Sequence, residues 1–156
     1  MKVINGDLLN CFLDGNQAAF HQTNCLRSCG RGICPQIRAK WPQAYQADLD
    51  FQGEPKDRLG QISIGETPDG IIFNLYGQLE YANRSIRNTN YEAFYQGLVK
   101  IRTEMLLRKL TKLATCYKVG SDLGGASWSI ISAMIDDVFS EESGIEVTAY
   151  NINRKA

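Results

Sequence analysis

The apolar positions of this chain fall into short runs broken by glycine-bearing turns, and into two longer stretches with helical spacing. Residues 2–4 form one short apolar run, which Gly6-Asp7 interrupts, and residues 17–22 (QAAFHQ) form another; both read as strands. Gly30-Arg31-Gly32 marks a loop. A helix is predicted over 33–41, with Pro35 tolerated in its first turn, where amide hydrogens lack intrahelical partners, and Pro42 helping to end it. Residues 59–64 and 71–76 alternate or cluster apolar side chains as strands do, and Thr67-Pro68-Asp69-Gly70 between them predicts a hairpin turn. Residues 77–88 (GQLEYANRSIRN) are polar and aperiodic, a loop long enough to carry function.

The second half alternates more clearly. Thr89-Asn90-Tyr91-Glu92 reads as a capping box, threonine followed by glutamate three residues on. Behind it Tyr91, Phe94, Tyr95, Leu98, Ile101 and Met105 recur at helical spacing, predicting a long helix that ends near Leu110. Residues 113–119 read as a strand and 120–126 as a second glycine-bearing loop. Ser127 then caps a helix with Trp128, Ile131, Ile135 and Val138 on one face. Residues 145–150 form the last strand. Strands alternating with helices predict a three-layer α/β domain with a mixed, largely parallel sheet, spanning residues 1–156 as one domain. Ligands of such sheets sit at the carboxyl ends of strands, where both glycine loops fall.

Totals add limits rather than direction. A chain of 156 residues has enough core for one domain without staples. Lysine plus arginine balances aspartate plus glutamate at 17 each, so no global field points to nucleic acid or a membrane surface. No apolar run reaches the roughly 18 residues of a membrane span, and MKVINGDLLN lacks the apolar centre of a secretion signal. Five cysteines, an odd number without an export signal, are expected as reduced thiols in the cytoplasm. A monomer is expected.

The stretch HQTNCLRSCGRGICPQI concentrates a histidine, an asparagine, three cysteines and two glycines. One reading makes His21, Cys25, Cys29 and Cys34 a zinc site; the residue types suit zinc, but structural sites use close pairs on tight knuckles. A thiol redox reading wants a Cys-x-x-Cys pair at a helix start, which is absent. The third ignores the sulfurs. Gly30 and Gly32 let the backbone turn and approach a ligand, and the helix start that follows offers unpaired amides to an anion. A tight turn with no ligand accounts equally well for this one loop.

The second loop strengthens the third reading. GSDLGGASW, residues 120–128, follows a strand and opens a helix, so two glycine loops at adjacent strand ends can wrap a diphosphate from both sides. Neither loop has the Gly-Lys-Ser/Thr of a Walker motif or a full dinucleotide fingerprint. Asp7, at the end of the first strand, is either an exposed loop aspartate or a carboxylate that accepts a hydrogen bond from an adenine amino group. Phe20, Tyr150 and Asn151 are candidates to flank a ring, though Phe20, on an AAF strand, is better suited to the core.

These motifs, taken together, resemble the macro domain, an ADP-ribose-binding α/β module. VINGDLL is similar to its opening strand and adenine-contacting element, and HQTNCLRSCGRGICPQIRAKWP to its first phosphate loop and helix. TNYEAFYQGLVKIR, KVGSDLGGASWSIISAMIDDVF and IEVTAY are similar to the helix across the sheet, the second phosphate loop with its helix, and the closing strand. HQTNC brings the chain nearest the small branch that includes phage and bacterial macro proteins, ADP-ribose 1''-phosphate phosphatases and a terminal ADP-ribose glycohydrolase. The resemblance implies that Asp7 and Leu8 hold the adenine end, Asn24 meets the distal ribose, and Gly30, Arg31, Gly32 and Ile33 line the diphosphate. It implies that Gly120, Ser121, Leu123, Gly124 and Gly125 wrap the other side, and that Tyr150 and Asn151 border the adenine.

The chain departs from that branch in places. Gly77 or Gln78 stands where the glycohydrolase has its lysine and Gly124 where it has its aspartate, so a covalent-lysine route is not expected. Cys116, Cys34 and Asp122 replace residues common in relatives. The remaining catalytic candidates are His21, the only histidine, as a proton carrier, and Asp122 as a group that orients water, with Asn24 beside them. Each has a plain structural reading: a strand histidine bonded to its neighbours, and a turn aspartate bonded to its own loop. The expected function is hydrolysis of an ADP-ribose derivative, in first place ADP-ribose 1''-phosphate. The alternatives are a non-catalytic binder of ADP-ribose or a related signalling nucleotide, and a zinc or thiol module. No cofactor or metal is expected. Arg84 and Arg87 in the 77–88 loop are expected to be solvated; if they bind, they grip phosphate through two nitrogens.

Overall fold

A computed structural model describes residues 1–81 and 85–152. The chain enters as strand β1 (Lys2–Asn5), makes a single 3-10 turn at Leu8–Asn10, and returns as β2 (Ala18–Asn24). Helices α1 (Cys34–Lys40), α2 (Pro42–Asp50) and α3 (Pro55–Arg58) follow, then β3 (Ile62–Glu66), β4 (Ile71–Gln78) and the long α4 (Tyr91–Leu107). After these come β5 (Lys112–Cys116), α5 (Trp128–Val138), a 3-10 turn at Glu141–Ser143, and β6 (Glu146–Asn151). The six strands form one sheet in the order β1-β6-β5-β2-β4-β3. Every pairing is parallel except the β3–β4 hairpin, so the sheet is mixed and largely parallel as expected.

The alternation of side chains along each strand splits the interior into two cores. Ala18, Phe20, Phe73, Leu75, Leu113 and Val147 point to one face, against Phe94, Leu98, Ile101 and Met105 of α4 and Ile131, Ile135 and Val138 of α5. Ala19, Ile72, Ala114 and Tyr150 point to the other, against Leu8, Cys11, Ile37, Trp41 and Ala44. Neighbouring residues of one strand thus serve opposite layers, which gives three layers. Phe94, Leu98, Ile101 and Met105 are fully buried, and each contributes about 1.5–3 kcal/mol on the scale of apolar transfer. Gly97 lets α4 lie close on β4: a Cβ there would stand 2.5 Å from Leu75 Cγ.

Several boundaries differ from expectation for identifiable reasons. Pro42 ends α1 and also opens α2, because its fixed φ and missing amide suit a first helical turn. α2 and α3 carry weak apolar periodicity and were not anticipated. Leu59 closes α3, so β3 begins three residues later than the apolar run. The cap of α4 is Asn90, whose side chain accepts from the Ala93 amide, not Thr89. α4 ends at Leu107, where Arg108 turns and Lys109 takes a positive φ of 56°. β5 stops at Cys116; Lys118, at φ 60°, starts the turn that sequence assigned to strand. Ser127 stands at the start of α5, yet its hydroxyl pairs with Ser129 rather than with a helix amide. Among the described residues, no helix is long and apolar enough to cross a membrane.

Candidate functional site: two glycine loops at the ends of adjacent strands

β2 and β5 are parallel neighbours, with Ala18 opposite Leu113 and Phe20 opposite Thr115. The loops that leave their carboxyl ends therefore emerge side by side. They come close: a Cβ on Gly32 in the first loop would lie 3.5 Å from Leu123 Cδ1 in the second, so the space beside Gly32 holds room for about one methyl group. Gly32 holds a φ of +66°, a conformation that L side chains rarely adopt. Among the described residues, the amides of Gly30, Arg31, Gly32 and Ile33 donate no hydrogen bond, and neither do those of Leu123 and Gly124. Six backbone donors thus lie on two neighbouring loops, and successive free amides of this kind form anion-binding concavities.

The second loop is held from behind. Gln22 Nε2 donates to Thr89 Oγ1 at 2.8 Å and to Gln78 Oε1 at 2.6 Å, and Thr89 Oγ1 donates to the Gly120 carbonyl at 2.8 Å. The amides of Asn88 and Thr89 both donate to the Gly124 carbonyl, at 2.8 and 2.9 Å. Gly124 has no room for a side chain, since a Cβ would stand 2.2 Å from Thr89 Oγ1. Inside the loop, Ser121, Gly125 and Ala126 use their amides on Lys118, Asp122 and Gly120 carbonyls. The Ser121 hydroxyl is buried without a partner among the described residues. Gln22 and Thr89 were not anticipated as site residues, because their link to the loop exists only in three dimensions.

Asp7 sits at the carboxyl end of β1. Its carboxylate accepts from the Leu9 amide at 2.9 Å and so caps the 3-10 turn that begins with buried Leu8. It lies close enough to the end of β5 for its charge to act on Cys116, whose thiol is pushed up to about 12, first by burial and then by Asp7. Tyr150 is buried: its hydroxyl donates to Asp14 Oδ2 at 2.8 Å and accepts from Asn16 Nδ2 at 2.9 Å, and its ring packs under Gly6. Asn151 is half-buried beside Asn5, and its carbonyl accepts from the Gly6 amide.

The three catalytic candidates occupy distinct surroundings. Asp122 is exposed and, with Ile86, Leu123 and Gly125, lines a cavity of about 240 Å³. Asn24 is buried, and its side chain organises the start of the first loop: Nδ2 donates to the Ser28 carbonyl at 2.8 Å, and Oδ1 accepts from the Leu26 and Ser28 amides at 3.1 Å. His21 is 2% exposed and borders a separate, water-sized space of about 10 Å³ under α1 and α2. The structure therefore does not bring His21 and Asp122 into one cavity.

His21 instead begins a buried chain of hydrogen bonds. Asn74 Nδ2 donates to the Ala44 carbonyl and to Ser63 Oγ, so its Oδ1 is the acceptor for His21 Nε2–H at 2.7 Å. Ser63 Oγ contacts Tyr76 OH, which donates to Asp48 Oδ1 at 2.7 Å. Burial holds the His21 pKa below its ordinary value, partly countered by the bond to Asn74, so the ring is neutral with a bare, buried Nδ1. Burial likewise raises the Asp48 carboxyl, against the hydrogen bond from Tyr76 and the charges of Arg27 and Arg58.

The expectation of five reduced cysteines is corrected: Cys29 and Cys34 form a disulfide, with Cα atoms 5.4 Å apart, while Cys11, Cys25 and Cys116 are free. Five residues of separation inside a tight loop bring the two sulfurs together. This also removes the zinc reading, since two of its four ligands bond each other. Among the described residues no group of three metal-ligating side chains gathers. Arg87 lies with its guanidinium 4.3 Å from the centre of the Tyr91 ring; Arg84 falls outside the described residues.

No protein-family model matches the chain, and no curated protein sequence matches it. Solved structures do. The macrodomain of Mycobacterium tuberculosis DarG superposes with a TM-score of 0.76 at 18% identity, over 96% of this chain and 95% of that one. A macrodomain protein from Streptomyces coelicolor does so at 0.69 and 21% identity, over 96% and 97%. Thermosipho africanus DarTG in complex with ADP-ribose matches at 0.76 and 15% identity, over 99% of this chain and 42% of that longer one. With its sheet order, its layers and these superpositions, the chain has the macrodomain fold.

Proposed function

We propose that the protein binds ADP-ribose or an ADP-ribosyl derivative. The observation that carries this reading is that parallel β2 and β5 bring the two loops side by side, Gly32 next to Leu123, with unpaired amides on both. In this reading Gly30, Arg31, Gly32 and Ile33 bind one side of the diphosphate, and Gly120, Ser121, Leu123, Gly124 and Gly125 the other. Backbone donors suit such a ligand because the chain supplies no Walker lysine. Asp7, with Leu8 beneath it and Tyr150 and Asn151 at its side, receives the adenine, the carboxylate accepting from the exocyclic amine. The ADP-ribose found in the Thermosipho DarTG structure supports the choice of ligand. Calorimetric titration of the purified chain with ADP-ribose tests the proposal. One-to-one binding that ADP also achieves and ribose 5-phosphate does not is the expected result; no heat and no competition by ADP would reject it.

The second reading is hydrolysis of ADP-ribose 1''-phosphate to ADP-ribose and inorganic phosphate. It is favoured by Asp122, whose carboxylate borders the cavity next to the second loop. Asp122 orients the attacking water, Asn24 fixes the first loop near the distal ribose, and His21, enclosed below, holds the strand that carries Asn24. A carboxylate facing a phosphate dianion opposes substrate binding, and this is why binding without turnover stands first. Phosphate release from that substrate, compared between the native chain and Asp122→Asn, separates the two readings.

A further inference from the structure

We propose that the Cys29–Cys34 disulfide is a redox-controlled strap on the first glycine loop, so that its reduction by a dithiol weakens capture of the anionic ligand. The proposal rests on the ADP-ribose-binding reading above. The bridge encloses Gly30, Arg31, Gly32 and Ile33, whose amides donate to nothing among the described residues. Ile33 is also held by its packing on the α1 core and by its carbonyl, which accepts from the Gln36 and Ile37 amides, but little else restrains the other three. Gly30, Arg31 and Gly32 are exposed, and a Cβ on Gly30 would meet no atom within 4 Å. Before the loop, Asn24 pins Leu26 and Ser28; after it, α1 begins at Cys34. Among the described residues, the disulfide is the only covalent link across that gap. Cys29 and Cys34 are both partly accessible, so a small dithiol can reach the bond. The other three sulfurs do not compete. Burial pushes the thiols of Cys11 and Cys116 up to about 12 and that of Cys25 to about 11, which leaves them protonated and poor nucleophiles near neutral pH.

The exchange is a two-electron step. A thiolate of the dithiol attacks one sulfur of the bridge, forming a mixed disulfide and releasing the other as a thiolate, which takes a proton. The second thiol of the reductant, as its thiolate, then closes a ring on the first, and the remaining protein sulfur leaves and is protonated. The protein gains two thiols and the reductant becomes a cyclic disulfide. Once open, the loop must be ordered anew each time it closes on a ligand. The cost is comparable to ordering about one residue's backbone, roughly tenfold in affinity.

The test titrates ADP-ribose into the full chain, monitored by calorimetry, in three forms: thiol-free, reduced with dithiothreitol, and Cys29→Ser/Cys34→Ser. Alkylation in denaturant with mass detection counts the sulfurs in parallel, since the buried thiols do not react in the folded chain. The expected result is three alkylated cysteines before reduction and five after. Affinity should be about tenfold weaker in the reduced and serine forms, restored by reoxidation only in the native chain. Equal affinity in the thiol-free and reduced forms overturns the strap and leaves the binding reading intact. Five alkylated cysteines that air or a disulfide oxidant does not lower to three also overturn the strap alone. Absence of binding in every form removes the binding reading and the strap with it. The reduced native chain keeps the test decisive if the double variant folds poorly.

Discussion

Replacing Gly124 by alanine should damage both the fold and the site, by an amount that follows from its surroundings. The new Cβ would stand 2.2 Å from Thr89 Oγ1, 2.5 Å from the Gly120 carbonyl oxygen and 2.9 Å from Gln22 Nε2. None of these atoms moves freely. Thr89 Oγ1 accepts from Gln22 and donates to Gly120, and the Gly120 carbonyl also receives the Ala126 amide. Making room breaks the two hydrogen bonds of Thr89, at about 0.5–1.5 kcal/mol each. It also shifts backbone, and overpacking of this kind costs about 1–3 kcal/mol. The sum is about 2–6 kcal/mol, which for a domain of this size lowers Tm by roughly 4–24 °C. Gly30→Ala is the control: its Cβ meets nothing and its φ is not in the left-handed region, so its Tm should stay within about 2 °C of the native value. Differential scanning calorimetry of both variants gives the answer, and titration of Gly124→Ala with ADP-ribose should show a parallel loss of affinity. A Gly124→Ala protein with native Tm would refute the view that the second loop is locked by Gln22 and Thr89.

Three further outcomes are expected. Asn24→Ala removes three hydrogen bonds that shape residues 24–28 and should cost about 1–3 kcal/mol in urea unfolding, with weaker ADP-ribose binding. Tyr76→Phe takes the donor from the buried Asp48 carboxylate and should cost about 1–3 kcal/mol by the same measurement. The His21 pKa lies below its unfolded value of 6.5, so below that pH the unfolded chain binds the extra proton and native stability falls, by at most about 1.4 kcal/mol per pH unit. Asp48, raised above 3.8, gives the opposite slope above that value, but it is present in both proteins; His21→Gln should therefore flatten only the decline between pH 6.5 and 5, and urea unfolding across that range that shows equal slopes would count against a neutral, buried His21.

The parts legible in the sequence were those written by local chemistry. The short apolar runs of β2 and β4, the helical spacing from Phe94 to Met105, and the Thr67–Gly70 turn all gave elements close to those found. Both glycine loops fell at strand ends because glycine and the following helix starts mark such turns directly. α2 and α3 were not legible, since their burial depends on α2 packing on β3: a Cβ on Gly65 would stand 2.6 Å from Ala44 Cα, a contact with no local trace. Asn90 displaced Thr89 as cap because Thr89 is engaged by Gln22 and Gly120, 67 and 31 residues away. The Cys29–Cys34 bridge escaped for a different reason. Chain totals argued for reduced thiols, whereas the geometry of one tight loop brings two sulfurs together. His21 looked reactive in a string of letters, but the parity of β2 turns it, like Ala19, toward the α1–α2 layer and away from the face that carries Gln22.

The central claim is that two neighbouring loops hold one diphosphate through their backbone nitrogens. The direct measurement is the amide spectrum of isotopically labelled protein during titration with ADP-ribose. The account predicts that the Gly30, Arg31, Gly32 and Ile33 signals move together with those of Leu123 and Gly124, along a single saturation curve, while residues of α4 stay still. Shifts confined to one loop, shifts elsewhere, or none at saturating ligand would contradict it.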